Sequence, residues 1–420
     1  MKKGRIFYGW WIVVVTFIAN FMSNGMSFYG WNAILPELCR LNNWSRTAVN
    51  IAPSLSALGV LAQPFFSRMV LKFGPRRMML GSVFFSCASY ALMARSHSLG
   101  LFYAMAAVLY IANVGINGLV PNTAVSNWFE RYRGKALGIS TSGISLSGAI
   151  IPLLLFFLLR HFSLGQATLL NALLSWVLVF SAAVVLMKDH PEEHGMFVDG
   201  LEPDAAPVLQ SERKVEPCDL SNRELFRSRA FWNIGLAYGL MLPGVVGVMS
   251  QLAPRFKDIG FSGQRAMVMM SFAALVGAAG KVLWGWLCDK FDSRKVVSLS
   301  ILCQLAGLLV LISSRSEGVL AMFIVLFGLG MGGVMSTLPV VAADFFGRNN
   351  FAKAYGYIAL FLVFQSSGYL MMGGSFDLFG TYNYAYLGFI IFYLIALVLM
   401  LTARHPGEIS GTGLRHNITS

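Results

Sequence analysis

The sequence predicts an all-α membrane protein of twelve transmembrane helices in two pseudo-symmetric six-helix bundles. Three observations predict it. Of the 420 residues, 56% are hydrophobic and 12% charged, against about 25% charged in a soluble domain. Mean hydropathy is +0.64, and apolar segments of roughly 17–25 residues, enough to cross a bilayer, recur along the whole chain. The two halves also align with each other at one constant offset. The 42 glycines fit this class, because small residues let membrane helices approach closely.

Charge and cysteine content narrow the function. A net charge of +13 points to loops facing a negative membrane surface rather than to nucleic acid. Cys39, Cys87, Cys218, Cys288 and Cys303 are scattered, odd in number and without metal-ligand spacing, so they read as packing residues. No metal or cofactor is expected. The start MKKGRIFYGWWIVVV orders its residues as a signal peptide does. Its apolar run is too long and no small-residue cleavage site follows, so it reads as an uncleaved first span.

Spans fall at about 8–35, 46–70, 76–95, 99–127, 134–159 and 164–187, then 230–254, 265–288, 295–313, 318–344, 353–377 and 381–403. An even number puts both termini on one side. That side collects Lys2, Lys3, Arg5, Lys72, Arg76, Arg77, Arg131, Arg133 and Lys135. It also collects Arg213, Lys214, Arg223, Arg227, Arg229, Lys290, Arg294 and Lys295. The opposite loops hold fewer: Arg40, Arg46, Arg95, Arg160, Arg255, Lys257, Arg265 and Arg315. The bias predicts cytoplasmic termini in a multi-pass cytoplasmic membrane protein. The predicted units are a first bundle over 1–188, a cytoplasmic linker over 189–229, a second bundle over 230–405 and a tail over 406–420. The linker is polar, its acids and histidines read as a solvated face, and a short amphipathic helix on the membrane surface is expected near Asn222–Phe226.

The repeat is specific. Lys72, Phe73, Arg76 and Arg77 align with Lys290, Phe291, Arg294 and Lys295. Pro121, Ala124, Lys135, Ala136 and Gly138 align with Pro339, Ala342, Lys353, Ala354 and Gly356, and Gly59 with Gly277. Parallel repeats of this kind build secondary transporters that hold substrate near the midplane, between the halves.

With these residues the chain resembles a major facilitator superfamily transporter over nearly its whole length. That family carries Gly-x-x-x-Asp-Arg/Lys-x-Gly-x-Arg-Arg between spans two and three and again between eight and nine. The second copy survives as Gly285, Asp289, Lys290, Arg294 and Lys295. The first keeps Gly74, Arg76 and Arg77, but Ser67 and Leu71 stand where Gly and Asp are expected. The resemblance implies a cytoplasmic gating latch at these residues. FYGWWIVVV, NNWSRTAV and NWFERYRGKALGISTSG resemble bacterial members of the monocarboxylate transporter group and the related oxalate/formate antiporters.

Lys281 is the one formally charged residue set deep in a predicted span. At 1.5 Å per residue it lies roughly 12 Å inside the helix end marked by Asp289. A mid-span charge costs about 2.5–3.5 kcal/mol on insertion scales, so it reads as a cation facing the cavity, with snorkelling to the headgroups as the bland alternative. Its repeat mate is Gln63, so the charge is not part of the shared scaffold. The resemblance places Lys281 at or next to a span-eight arginine that pairs with substrate carboxylate in that group. Lysine is a point charge where arginine grips in two parallel bonds, which leaves the acid open.

The other candidate substrate ligands are Asn24, Asn113, Asn117, Ser142, Tyr238, Gln365 and Tyr369. Asn20, Asn24 and Ser27 share one broad face, as do Asn113 and Asn117 one turn apart. Thr141, Ser145, Ser336, Thr337 and Ser366 accompany them, although such residues also serve as helix-packing glue. Tyr382, Tyr384 and Tyr386 read as an interfacial belt. No paired carboxylates, His cluster or phosphate loop argues for an enzyme. The expected activity is secondary transport of a small organic anion, with a monocarboxylate such as lactate or pyruvate first. Dicarboxylate or oxalate–formate exchange is the alternative, and a membrane sensor a more distant one. A proton could ride on Lys281, or anions could exchange without one. A monomer in the bilayer is expected.

Overall fold

The computed structural model describes residues 7–200, 220–258, 260, 262–313 and 316–404. Lys2, Lys3, Arg5, Arg213, Lys214, Cys218, Arg315 and the 406–420 tail lie outside the described residues. The described helices are α1 (Gly9–Asn24), α2 (Trp31–Asn42), α3 (Arg46–Ser54), α4 (Ser56–Met93), α5 (Leu99–Asn113), α6 (Leu119–Trp128), α7 (Arg133–His161) and α8 (Leu164–Leu186). They continue as α9 (Asn222–Arg227), α10 (Arg229–Asp258), α11 (Gly263–Lys290), α12 (Ser293–Ser313), α13 (Glu317–Ile358), α14 (Gln365–Phe379) and α15 (Asn383–Thr402).

Among the described residues, nine segments are long and apolar enough to cross a membrane. Two of them hold two spans each, which makes eleven, and the remaining span, the fourth, is split between α5 and α6. The twelve predicted spans are thereby accounted for. The doubled segments turn at glycine. Gly74 in α4 has φ 79°, and Gly347 in α13 has φ 76°, a region open to glycine and strained for other residues. The chain reverses there, between spans two and three and between ten and eleven. Serine side chains begin several helices: Ser45 accepts from Ala48 N, Ser262 from Arg265 N, and Ser163 forms a capping box with Gln166.

Four of the described spans are not continuous helices, and the sequence reading missed these breaks; the second pauses at Leu55, between α3 and α4. The first passes into a π-helix over Gly25–Tyr29 and the eleventh into a 3₁₀ segment over Ala359–Phe364. The fourth stops at Asn113 and resumes at Leu119. Gly118 sits at φ 69° in that gap, and its N–H reaches Asn20 Oδ1 at 3.4 Å. Asn20 Nδ2 donates to Ser140 O and Oγ, both at 3.2 Å. One buried asparagine therefore satisfies backbone that the broken helix leaves open and ties spans one, four and five together. In lipid-level structure such breaks occur where protein or a cavity, not lipid, receives the freed backbone groups.

Two further expectations change. Tyr382 and Tyr386 are buried in the second bundle, and Tyr384 alone of the three is exposed, so two of the three belong to the core and not to an interfacial belt. The linker acids are not simply solvated. Asp189 Oδ1 accepts from Arg76 N at 2.7 Å, and Asp199 accepts from the N–H groups of Glu130 and Arg131 at 3.1 and 2.7 Å. Cys39, Cys87, Cys288 and Cys303 are free, and no group of three or more potential metal-ligating side chains comes together among the described residues.

Candidate functional site: a buried cation above a closed seam

The site is built where α11 of the second half crosses α7 of the first. The crossing is close because both helices are glycine at the contact. A Cβ on Gly134 or Gly285 would collide with the carbonyl of the other, and one on Gly138 would lie 2.6 Å from Lys281 O. Only backbones that carry no side chain can approach so closely. Behind it, Gly332 of α13 packs with its Cα direction onto Gly277 O and Lys281 N, and Trp284 Nε1 donates to Leu329 O at 2.8 Å. The helix carrying Lys281 is thus held on two sides.

Lys281 is 5% exposed. Its Nζ donates to Thr141 O at 3.3 Å. Among the described residues that main-chain carbonyl is its one hydrogen-bond partner and it forms no ion pair. An ammonium has three donors. Here the amine is removed from solvent with a single neutral acceptor, an arrangement that costs the charged form free energy unless an anion completes it.

Two turns along α11, the seam ends in a carboxylate. Asp289 Oδ1 accepts from Gly134 N at 2.6 Å and Oδ2 from Lys135 N at 2.8 Å. Both donors are first-turn amides of α7, so the acid also meets the positive end of that helix. The Lys135 ammonium turns instead toward the Trp10 ring, 5.6 Å from its centroid. Gly285 and Asp289 thus join the two halves. Lys290 lies over the Trp286 ring at 4.0 Å. Arg294 pairs with Asp292 at 2.7 Å and donates to Ala403 O at 3.0 Å, contacts that stay inside the second half. Lys295 is exposed.

The first-half copy is arranged differently. Gly74 leaves space that a Cβ would fill against the Asp189 carboxylate. Arg76 donates its N–H to that carboxylate and its guanidinium to Val184 O at 2.7 Å. Arg77 is exposed. The described hydrogen bonds of Arg76 therefore brace spans three and six of one bundle and do not cross to the other.

The remaining candidates divide. Asn24 and Ser142 are half-buried and bond within their own helices, to Asn20 O at 3.1 Å and Ile139 O at 2.7 Å. Asn117 and Gln365 are half-buried at the breaks of spans four and eleven, and Tyr369 is exposed. Asn113 ends α5, and its carbonyl still accepts from Asn117 N at 2.8 Å. Its Oδ1 accepts from Ser86 Oγ at 2.7 Å, inside the first bundle. Tyr238 is fully buried with its hydroxyl on Thr337 Oγ1 at 2.7 Å, so it packs spans seven and ten together and presents no free ligand. Sequence reasoning also missed Asn122 and Tyr355. Asn122 Nδ2 donates to Tyr355 OH at 3.2 Å and bridges the halves. Their repeat mates are Val340 and Leu137, so the repeat gave no signal for either.

The bonds Arg68–Tyr357, Asn122–Tyr355, Lys281–Thr141 and those of Asp289 with α7 lie at or on one side of Lys281, toward the end that carries Lys72, Arg76, Lys290 and Arg294. At that basic end the two halves are in contact.

Two six-helix bundles with broken spans at their junction and a polar seam between them define a multi-pass secondary transporter. The Major Facilitator Superfamily profile matches residues 16–280 and 256–417, and the chain belongs to the major facilitator superfamily. Among similar proteins, the MFS transporter asaE of Aspergillus flavus is 24% identical over 84% of this chain and 76% of its own. Monocarboxylate transporter 12 of Xenopus laevis is 23% identical over 84% of this chain and 78% of its own. The proton:xylose symporter XylE, solved with 6-bromo-6-deoxy-D-glucose, superposes with a TM-score of 0.75 at 13% identity, covering 94% of this chain and 96% of its own. That likeness is one of fold.

Proposed function

We propose that the protein carries a small organic anion, a monocarboxylate such as lactate or pyruvate first, by alternating access across the cytoplasmic membrane with its basic end inside. The observation that carries this reading is Lys281: a buried ammonium at the junction of the halves with one neutral partner among the described residues. A carboxylate entering from the far side would complete its hydrogen bonds and neutralise it. Asn24, Asn117, Ser142 and Gln365 are the proposed polar surroundings, and Gly285 with Asp289 the proposed gate. Similarity to monocarboxylate transporter 12 supports the substrate class.

The test is uptake of labelled lactate, pyruvate, formate and oxalate into proteoliposomes, with and without a pH gradient, beside Lys281→Gln. The expected result is saturable carboxylate uptake that the substitution abolishes. Robust uptake of a neutral sugar with no competition from any carboxylate rejects the reading. Stimulation by an inward proton gradient identifies symport, and stimulation by internal anion identifies exchange.

A further inference from the structure

The first-half seam lacks the acid of its mate. By the repeat, Gln63, Ser67 and Leu71 of α4 correspond to Lys281, Gly285 and Asp289. Gly356 of α13 packs on Ser67 and Gln63 as Gly138 packs on the α11 seam. Leu71, however, is 54% exposed and has no carboxylate to offer the start of span eleven.

The returning end of the linker is found there instead. Leu220 N donates to Asn350 Oδ1 at 3.0 Å, and Leu220 O accepts from Lys353 Nζ at 2.8 Å. Lys353 is the repeat mate of Lys135, whose backbone N–H bonds Asp289 at the other seam. Asn222 Nδ2 donates to Tyr357 OH at 3.3 Å, and the same hydroxyl accepts from Arg68 of the first half at 3.1 Å. Helix α9 is fixed in place by the Ser221–Glu224 capping box. Leu225 is buried, and Phe226 packs edge-on against Tyr357 and Phe231 at centroid distances of 5.0 and 5.4 Å. The helix expected near 222–226 is present, and its apolar side chains dock on the protein's own spans seven and eleven.

We propose that residues 220–226 are an internal brace that replaces the missing carboxylate, so that closure of the basic end is controlled by the linker at one seam and by Asp289 at the other. Linker position then sets the equilibrium between closed and open basic ends, independently of which solute is carried. The test is hydrogen–deuterium exchange on the full-length protein in lipid nanodiscs, comparing wild type with an Asn222→Ala/Tyr357→Phe double variant. Amides of 351–357 should exchange about tenfold faster in the variant, while those of 133–138 stay at the wild-type rate. Adding Leu71→Asp should restore protection at 351–357, because the acid then stands where Asp289 stands in the other half. Wild-type exchange at 351–357 in the double variant overturns the proposal. So does equal acceleration at both seams, or failure of Leu71→Asp to restore protection.

Discussion

The two seams at the basic end descend from one repeat and are built differently. At the α7–α11 seam, backbone meets backbone, Asp289 holds two amides of the facing helix, and Lys281 lies buried above. At its mate, Ser67 separates the helices, Leu71 replaces the acid and Gln63 replaces the lysine. The buried lysine and the acid have gathered on one side of the pseudo-twofold axis. A scaffold with two equivalent seams needs only one to recognise the solute, and the other is free to close by side chains and linker.

The largest break in that comparison is at Lys281. Lys281→Ala should weaken anion binding by about 3–5 kcal/mol, the range for a buried pair that loses one partner, with the protein still inserting. Lys281→Arg should retain binding, because the charge survives. Calorimetry or competition on purified protein reads both. Lys281→Gln with an affinity within about twofold of wild type, roughly 0.4 kcal/mol, would sink the role.

Asp289→Asn is next. It keeps the shape and loses the charge facing two helix amides, which should destabilise the closed basic end by about 1.5–3 kcal/mol. Cysteine accessibility at the basic end of α7 should rise, whereas Leu71→Asn, at the seam without the acid, should leave it unchanged.

Gly138→Ala puts a methyl 2.6 Å from Lys281 O and should cost about 1–3 kcal/mol by overpacking. Thermal unfolding in detergent would show it as a lowered Tm, with no loss or a small gain for Gly81→Ala, a helical position where a Cβ meets nothing within 4 Å.

The smallest effect belongs to the Glu192–Arg348 contact at 2.8 Å, which joins the linker to the span ten–eleven turn. Partial burial pushes the Glu192 carboxyl up, but the Arg348 hydrogen bond, with its own backbone amide and His190, outweighs this and holds it below the usual value of 4.5. A depressed carboxylate contributes stability that is present above its unfolded pKa and lost as pH falls through its folded one. The contact should therefore be intact at neutral pH and lost only below pH 4.5. Being half exposed, it should contribute no more than about 1 kcal/mol. Glu192→Gln should leave the Tm at neutral pH nearly unchanged, and a large shift there would refute the assignment.

The spans were legible because hydrophobic length is a local property of the chain. The repeat was legible because Lys72 with Lys290 and Lys135 with Lys353 keep one register. Lys281 stood out as a charge in an apolar run. The break at 114–118 was missed although Gly115, Asn117 and Gly118 mark it locally; what could not be read is its support, which comes from Asn20, far away in sequence. The same holds for Tyr238 and Asn113, whose polar groups are spent on Thr337 and Ser86 inside their own bundles. Periodicity tells which face a residue is on, not which neighbour occupies it. The linker read as solvated because its partners, Arg76, Arg348 and Asn350, belong to turns on both halves.

The acceptor facing Lys281 is main chain. No substitution in α7 can delete Thr141 O, so the first half can drift in sequence around it while Gly134 and Gly138 remain glycine. On the role proposed for Lys281, inheritable damage to anion recognition should be concentrated in the second half. A library of random variants selected for loss of transport but normal insertion should return α11 far more often than the facing surface of α7, and the hits in α7 should be glycines.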